Sequence, residues 1–146
     1  EGVRGLFPGI AALRWGLSVP EYLKIANNEI MAILLIEHIE AVNHIDEILT
    51  VPGIDVVFVG PYDLSQSLGV PGQVTHQKVV DKVREIATLS KQAGIAVGLF
   101  VETPQAAKEW VKQGVLYCSL DVDAAILLKA GTEYIKQVRE VKPIAA

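Results

Sequence analysis

Glu37 and Asp63 are the residues whose type and placement point most directly to chemistry. Glu37 directly follows the apolar run 31–36, and Asp63 closes Gly60-Pro61-Tyr62-Asp63, just past the apolar run 54–59. A carboxylate at the end of a buried strand is costly unless it is paired, hydrogen-bonded or bound to a cation. If the two runs are neighbouring parallel strands, both acids converge on one side. No histidine pair or cysteine pair lies near them, so the pair favours a hard, oxygen-preferring cation such as Mg²⁺ or Mn²⁺. Ligand oxygens and water would complete the shell. The competing structural reading makes both acids helix caps, with Asp63 capping a short turn over Leu64-Ser65-Gln66.

The Gly60-Pro61-Tyr62-Asp63 stretch is the second feature. Gly60 permits close approach by a ligand or another backbone, and Pro61 fixes φ. The N–H groups of Tyr62 and Asp63 could then hold a small carboxylate, as helix starts do. Glycine-proline also marks an ordinary turn. Gly2-Val3-Arg4-Gly5 is too short and misplaced for a nucleotide fingerprint. His38 reads as a loop histidine, and Glu40 as an acid complementing a helix start. His44 and His76 fall at helical or capping positions, with no partner that suggests a triad. Asp121 and Asp123 read as caps of the last helix. Ser65 and Ser119 lack the Gly-x-Ser-x-Gly elbow. Trp15 and Trp110 read as packing residues, Arg4 and Arg14 as solvated ones.

Strands must carry these residues. Four apolar runs, 31–36, 54–59, 95–101 and 115–120, are rich in Val, Ile, Leu or Phe and do not alternate cleanly. That pattern suits strands buried on both faces of a parallel sheet. Helical periodicity fills the gaps over 41–49, 79–93 and 105–112, the last behind Thr103-Pro104 as N-cap and first helical residue. A helix over 20–28, with Ser18 as cap, precedes the first strand, and one over 123–141 closes the chain. Gly53, Gly94 and Gly114 sit between helix and strand, where a left-handed residue ends a helix without strain. The order is α, then β-α four times, which predicts an α/β fold with parallel crossovers. Periodicity leaves two architectures open: a small open sheet, or half of a (β/α)₈ barrel.

Composition bounds the function. The 146 residues are the size of one domain spanning 1–146. A formal charge of −4 without basic clusters argues against a phosphate-driven nucleic-acid binder. With 51% hydrophobic and 21% charged residues, intrinsic disorder is excluded. Cys118 is the single cysteine, so no internal disulfide forms. The longest apolar run falls far short of the roughly 20 residues that span a bilayer. A cytoplasmic protein is expected, although the chain opens on Glu1 rather than methionine.

Leu35-Ile36-Glu37 followed by Glu40-Ala41, then the stretch from Gly53-Ile54-Asp55 through Gly60-Pro61-Tyr62-Asp63-Leu64-Ser65, resembles the HpcH/HpaI aldolase family of class II, metal-dependent pyruvate aldolases. Gly2-Val3-Arg4-Gly5, Pro20-Glu21-Tyr22-Leu23 and Gly69…Gly72…His76…Val79 extend the likeness over nearly the whole chain. The resemblance implies parallel β/α units forming the second half, strands five to eight, of a (β/α)₈ TIM barrel. It implies a lyase cleaving a 4-hydroxy-2-oxo acid to pyruvate and an aldehyde. By the same resemblance Glu37 and Asp63 ligate Mg²⁺, Mn²⁺ or Co²⁺, which acts as Lewis acid for the pyruvate enolate. The backbone of Tyr62 and Asp63 contacts the substrate carboxylate, and Phe100 packs near the substrate. The family's histidine base and arginine match no segment here, so the base is expected outside this chain. Leu35 stands where many members carry glutamine, and Leu6-Phe7-Pro8-Gly9 where several carry serine and arginine. Small 2-oxo acids and aldehydes are the expected partners, in a homo-oligomer, with no nucleic acid and no membrane. Two rival readings are a citramalyl- or malyl-CoA-type lyase and a non-catalytic half-barrel that only assembles.

Overall fold

The computed structural model describes residues 16–140. The expectations for Trp15, Arg4, Arg14, Gly2 to Gly5 and the loop from Leu6 lie outside them. The chain forms two compact units, Glu1–Ala32 and Ile33–Ala146. In the first, helix α1 spans Val19–Glu29, close to the span predicted from periodicity. Ser18 starts it: its backbone N–H donates to the Glu21 carboxylate at 2.8 Å and its hydroxyl does so at 2.5 Å. That interaction satisfies the helix entry.

The second unit alternates strands and helices. It runs β1 (Ile33–Ile36), α2 (Ile39–Asn43), α3 (Ile45–Ile48), β2 (Val56–Val59), α4 (Pro61–Ser67), α5 (Gln77–Gln92), β3 (Ala96–Val101), α6 (Pro104–Lys112), β4 (Tyr117–Leu120) and α7 (Asp123–Arg139). Each apolar run yields its strand, shortened at its N-terminal end. The helix predicted over 41–49 is instead two short helices meeting at His44, which leaves helical geometry at φ −108° and ψ 17°. Thr103 caps α6 by accepting the Ala106 N–H at 3.1 Å. Gly94 and Gly114 take φ +75° and +98°, the left-handed geometry expected between helix and strand.

The sheet is parallel throughout, in the order β1-β2-β3-β4. Right-handed crossovers stepping the same way each time carry the helices to one face. Burial follows that rule. Ile36, Val57, Val59, Val97, Leu99 and Val101 point to one face and are at most 5% exposed. Val42, Ile45, Leu64, Val79, Val83 and Ile86 from α2 to α5 join them in one core. Each such side chain contributes about 1.5–3 kcal/mol on burial. The opposite face differs from the expectation of two buried faces. Ile33 and Tyr117 are 42% exposed there and Leu35 50%, because no helix of this unit crosses to cover them.

Leu35, Phe58, Gly98 and Tyr117 form a row across that open face by register. The Phe58 and Tyr117 rings meet edge to face, 5.9 Å apart, over Gly98. A Cβ at Gly98 would lie 2.5 Å from Phe58 Cδ2 and 3.1 Å from the Tyr117 carbonyl oxygen. Gly98→Ala is therefore expected to destabilise the fold by about 1–3 kcal/mol. The shift in urea midpoint measures it, and the loss should shrink in a Phe58→Ala background, where the colliding ring is gone.

Candidate active site

Parallel register decides which strand ends meet. The β1–β2 ladder pairs Ile36 with Val59 and continues one step, the Gly60 N–H donating to the Ile36 carbonyl at 3.0 Å. Glu37 thus lies beside Gly60. A Cβ on Gly60 would sit 3.0 Å from Glu37 Cβ and 3.2 Å from its Oε2. The bare glycine therefore makes the room in which the half-buried Glu37 carboxylate lies. The ladder between β3 and β4 also continues, the Asp121 N–H donating to the Val101 carbonyl at 2.8 Å. That contact sets Asp121 next to Glu102.

Gly60 is the N-cap of α4, Pro61 its first residue, and Asp63 its third. Neither acid plays the capping role of the competing reading. Asp63 lies inside the first turn, and the cap of α2 is His38, whose ring accepts the Glu40 N–H at 3.2 Å. The two arms are joined directly. The Ile39 N–H donates to Ser67 Oγ at 3.0 Å, and that hydroxyl donates to the Leu64 carbonyl at 2.9 Å. Ser65 is fully buried. Its hydroxyl donates to the Tyr62 carbonyl at 2.6 Å and accepts the Gly72 N–H at 2.9 Å. It is a backbone clasp, consistent with the absence of a nucleophile elbow.

Carboxylates suit a hard divalent ion, which takes few protein ligands and fills its shell with ligand oxygens and water, whereas a helix start suits an anion. Among the described residues no cluster of three or more His, Cys, Asp or Glu side chains could hold a metal. A cation held at this edge would draw on the Glu37 and Asp63 carboxylates.

Other candidates resolve into structural roles. His76 caps α5 by accepting the Lys78 N–H, and His44 contacts Glu47 at 3.3 Å. Asp123 begins α7, with Val122 as its N-cap. Asp121 instead adopts φ +55° and accepts the Val122 N–H at 2.8 Å. Partial burial pushes the Cys118 thiol up, away from thiolate reactivity. Trp110 packs against the core, as expected.

Sequence reasoning missed the pairing of Glu102 with the Tyr62 side chain. The Tyr62 hydroxyl donates to Glu102 Oε1 across the ends of β2 and β3. Beside it, Lys129 Nζ binds Asp121 Oδ2 at 2.7 Å. The signal was present in the position of Glu102 directly after the third apolar run. The Tyr62 ring also meets Phe100, centroids 6.2 Å apart. Phe100 follows the last register pair, Val59 with Leu99, and so lies level with Gly60.

Residues 2–130 match the HpcH/HpaI aldolase/citrate lyase family. A 4-hydroxy-2-oxo-heptane-1,7-dioate aldolase of Shigella sonnei (strain Ss046) is 33% identical over 147 residues, covering 97% of this chain and 56% of that protein. A crystal structure of an HpcH/HpaI aldolase/citrate lyase family protein from Burkholderia cenocepacia J2315 superposes with a TM-score of 0.83 at 33% identity, over 94% of this chain and 53% of the other. An HpcH/HpaI aldolase from Desulfitobacterium hafniense DCB-2 gives 0.82 at 31% identity, over 99% and 56%. The chain spans a little over half the length of these relatives.

The hydrogen bond to Glu102 raises the Tyr62 phenol above the ordinary value of 10.0, with burial and the Glu102 and Asp121 charges adding to it. The protonated phenol is the form the fold favours. That contribution is complete below the ordinary tyrosine range and is lost as pH climbs through the raised value. Spectrophotometric titration of the tyrosines should show one phenol ionising late, and Glu102→Gln should move it back down.

Proposed function

The chain belongs to the HpcH/HpaI aldolase/citrate lyase family, and we propose that it carries the metal-binding half of a pyruvate-type aldolase. The reaction is cleavage of a 4-hydroxy-2-oxo acid to pyruvate and an aldehyde. One observation carries this reading: the Glu37 carboxylate lies against the bare face of Gly60, at the start of the helix that holds Asp63. Glu37 and Asp63 would hold a divalent ion, Mg²⁺, Mn²⁺ or Co²⁺. When bound, such an ion supplies Lewis acidity toward the oxygens of the ketoacid.

The chain's own residues bind and orient. The first N–H groups of a helix have no acceptor within it, so the Tyr62 and Asp63 amides orient the ketoacid carboxylate. Ser65 fixes the carbonyl of Tyr62 and so the amide that follows. In the cleavage the C3–C4 bond breaks, the C4 hydroxyl loses its proton as the aldehyde forms, and C3 gains one as pyruvate forms. The base for those transfers lies outside this chain.

The consecutive strand order and the open apolar face support reading the four β/α units as strands five to eight of a (β/α)₈ barrel. In that reading residues 1–146 are part of one barrel domain. Its exposed face and edges are covered by the other β/α units, and whole proteins associate as homo-oligomers. The Shigella sonnei relative's name specifies a heptane-1,7-dioate, so a substrate with a second, distal carboxylate is the first to assay.

In the complete protein, Glu37→Ala and Asp63→Ala are each expected to lower metal-dependent pyruvate release by about a hundredfold or more. Isothermal titration with Mn²⁺ should show the affinity falling in parallel. Turnover like that of the wild type in either variant would sink the ligand assignment. Gly60→Ala, which displaces Glu37 without removing a carboxylate, should weaken Mn²⁺ binding while leaving the urea midpoint nearly unchanged.

A further inference from the structure

Glu37 and Asp63 sit on two arms of the chain that are fastened to each other twice. The first fastening is the Gly60 N–H on the Ile36 carbonyl at 3.0 Å, at the carboxyl ends of β1 and β2. The second is the Ile39 N–H on Ser67 Oγ, also at 3.0 Å, between the start of α2 and the end of α4. Along one arm Ile36 and Ile39 bracket Glu37, and along the other Gly60 and Ser67 bracket Asp63. Each acid therefore lies on a short span of main chain pinned at both ends. The strand-end pin is made by the backbone alone. The other depends on one side chain.

Ser67 has the chemistry for that role. A hydroxyl has one hydrogen to donate and lone pairs with which to accept. Ser67 donates to the Leu64 carbonyl of its own helix at 2.9 Å, which turns its lone pairs to the Ile39 N–H. That amide is the first of α2 and has no acceptor inside its helix. His38, the local cap, accepts the Glu40 N–H instead. The Ile39–Ser67 bond joins residues 28 apart in the chain and is partly buried, where water competes less. Ser67 also stands one helical turn after Asp63 in α4, so the two lie on one face of that helix. It is the face turned to the β1–α2 arm, because Ser67 reaches Ile39 from it.

We propose that Ser67 is a positioning residue that sets the span between Glu37 and Asp63, and with it the size of cation the pair accepts. This rests on the metal-dependent aldolase reading above and deepens it. Mg²⁺ demands oxygens at about 2.0–2.1 Å in a strict octahedron, whereas Ca²⁺ takes them at about 2.3–2.6 Å in a flexible shell. Arms pinned on both sides of each acid hold a fixed span and discriminate by ion size. With the strand-end pin alone, the α2 and α4 arms move apart and the pair adapts to the larger ion.

The test titrates the complete protein with Mn²⁺, followed by the free-ion EPR signal, and then displaces the bound Mn²⁺ with Mg²⁺ or Ca²⁺. Ser67→Ala is expected to weaken Mg²⁺ and Mn²⁺ about tenfold, the lower end of what hydrogen-bond partners outside the ligand set contribute, and Ca²⁺ by less than about threefold. The Mg²⁺ to Ca²⁺ affinity ratio therefore falls. Ile39→Pro breaks the same bond from the other side. Proline lacks the N–H and is accepted at the first position of a helix, and His38, at φ −129° and ψ 143°, already has the extended geometry that precedes proline. It should lower the ratio as Ser67→Ala does, and the double variant should lower it little further, because both changes remove one bond. A ratio unmoved in Ser67→Ala, including equal weakening of all three ions with a lower urea midpoint, overturns the proposal and leaves the aldolase reading standing. So do additive losses in the double variant. A wild type that binds none of the three ions overturns the metal assignment itself, and the proposal with it.

Discussion

Everything at the candidate site depends on the parallel ladders running one residue past their strands. The Gly60 N–H on the Ile36 carbonyl and the Asp121 N–H on the Val101 carbonyl are single hydrogen bonds at 3.0 and 2.8 Å. They fix which residues stand abreast: Glu37 with Gly60, and Glu102 with Asp121. A register slip of one residue would turn each of these side chains to the opposite face, into the helix-packed core. The core resists that slip, because it would expose Val57, Val59 and Leu99 while burying carboxylates. Packing on one face therefore enforces the arrangement of charge on the other.

The two faces of the sheet obey different rules. The helix side is filled by interdigitating aliphatic residues, and the two short helices after β1 and the helix after β2 all lean on it. The open side carries the aromatic groups, with Gly98 flanked by Phe58 and Tyr117. Toward the carboxyl ends that side turns polar within two residues, from Phe100 to Glu102. Such a gradient, apolar floor and acidic rim, suits a site that binds a small oxygen-rich molecule against carbon.

Much of this was legible in the residues. The four apolar runs located the strands because long aliphatic runs broken by glycine leave few alternatives, and Thr103-Pro104 announced α6. The break at His44 was not legible: 41–49 keeps helical periodicity across it, and the turn is set by how Val42 and Ile45 both reach the core. Burial on both faces is only partly met within this chain, where Val56 is buried but Ile33, Leu35 and Tyr117 are exposed. Unbroken apolar runs report that neither face is polar, and they do not say whether a helix lies over each. Glu37 and Asp63 stood out by position alone. The Tyr62–Glu102 bond joins residues 40 apart in the chain, so it needed the fold to bring β2 and β3 together.

Ser65 has a consequence for how such a site can change. By clasping the Tyr62 carbonyl and the Gly72 amide, it anchors the main chain at residue 62 independently of the ring that residue carries. The side chain there is thereby free to vary while the peptide stays where it is. A scaffold wired in this way can take a lone substitution at that ring while the main chain beneath it keeps its place.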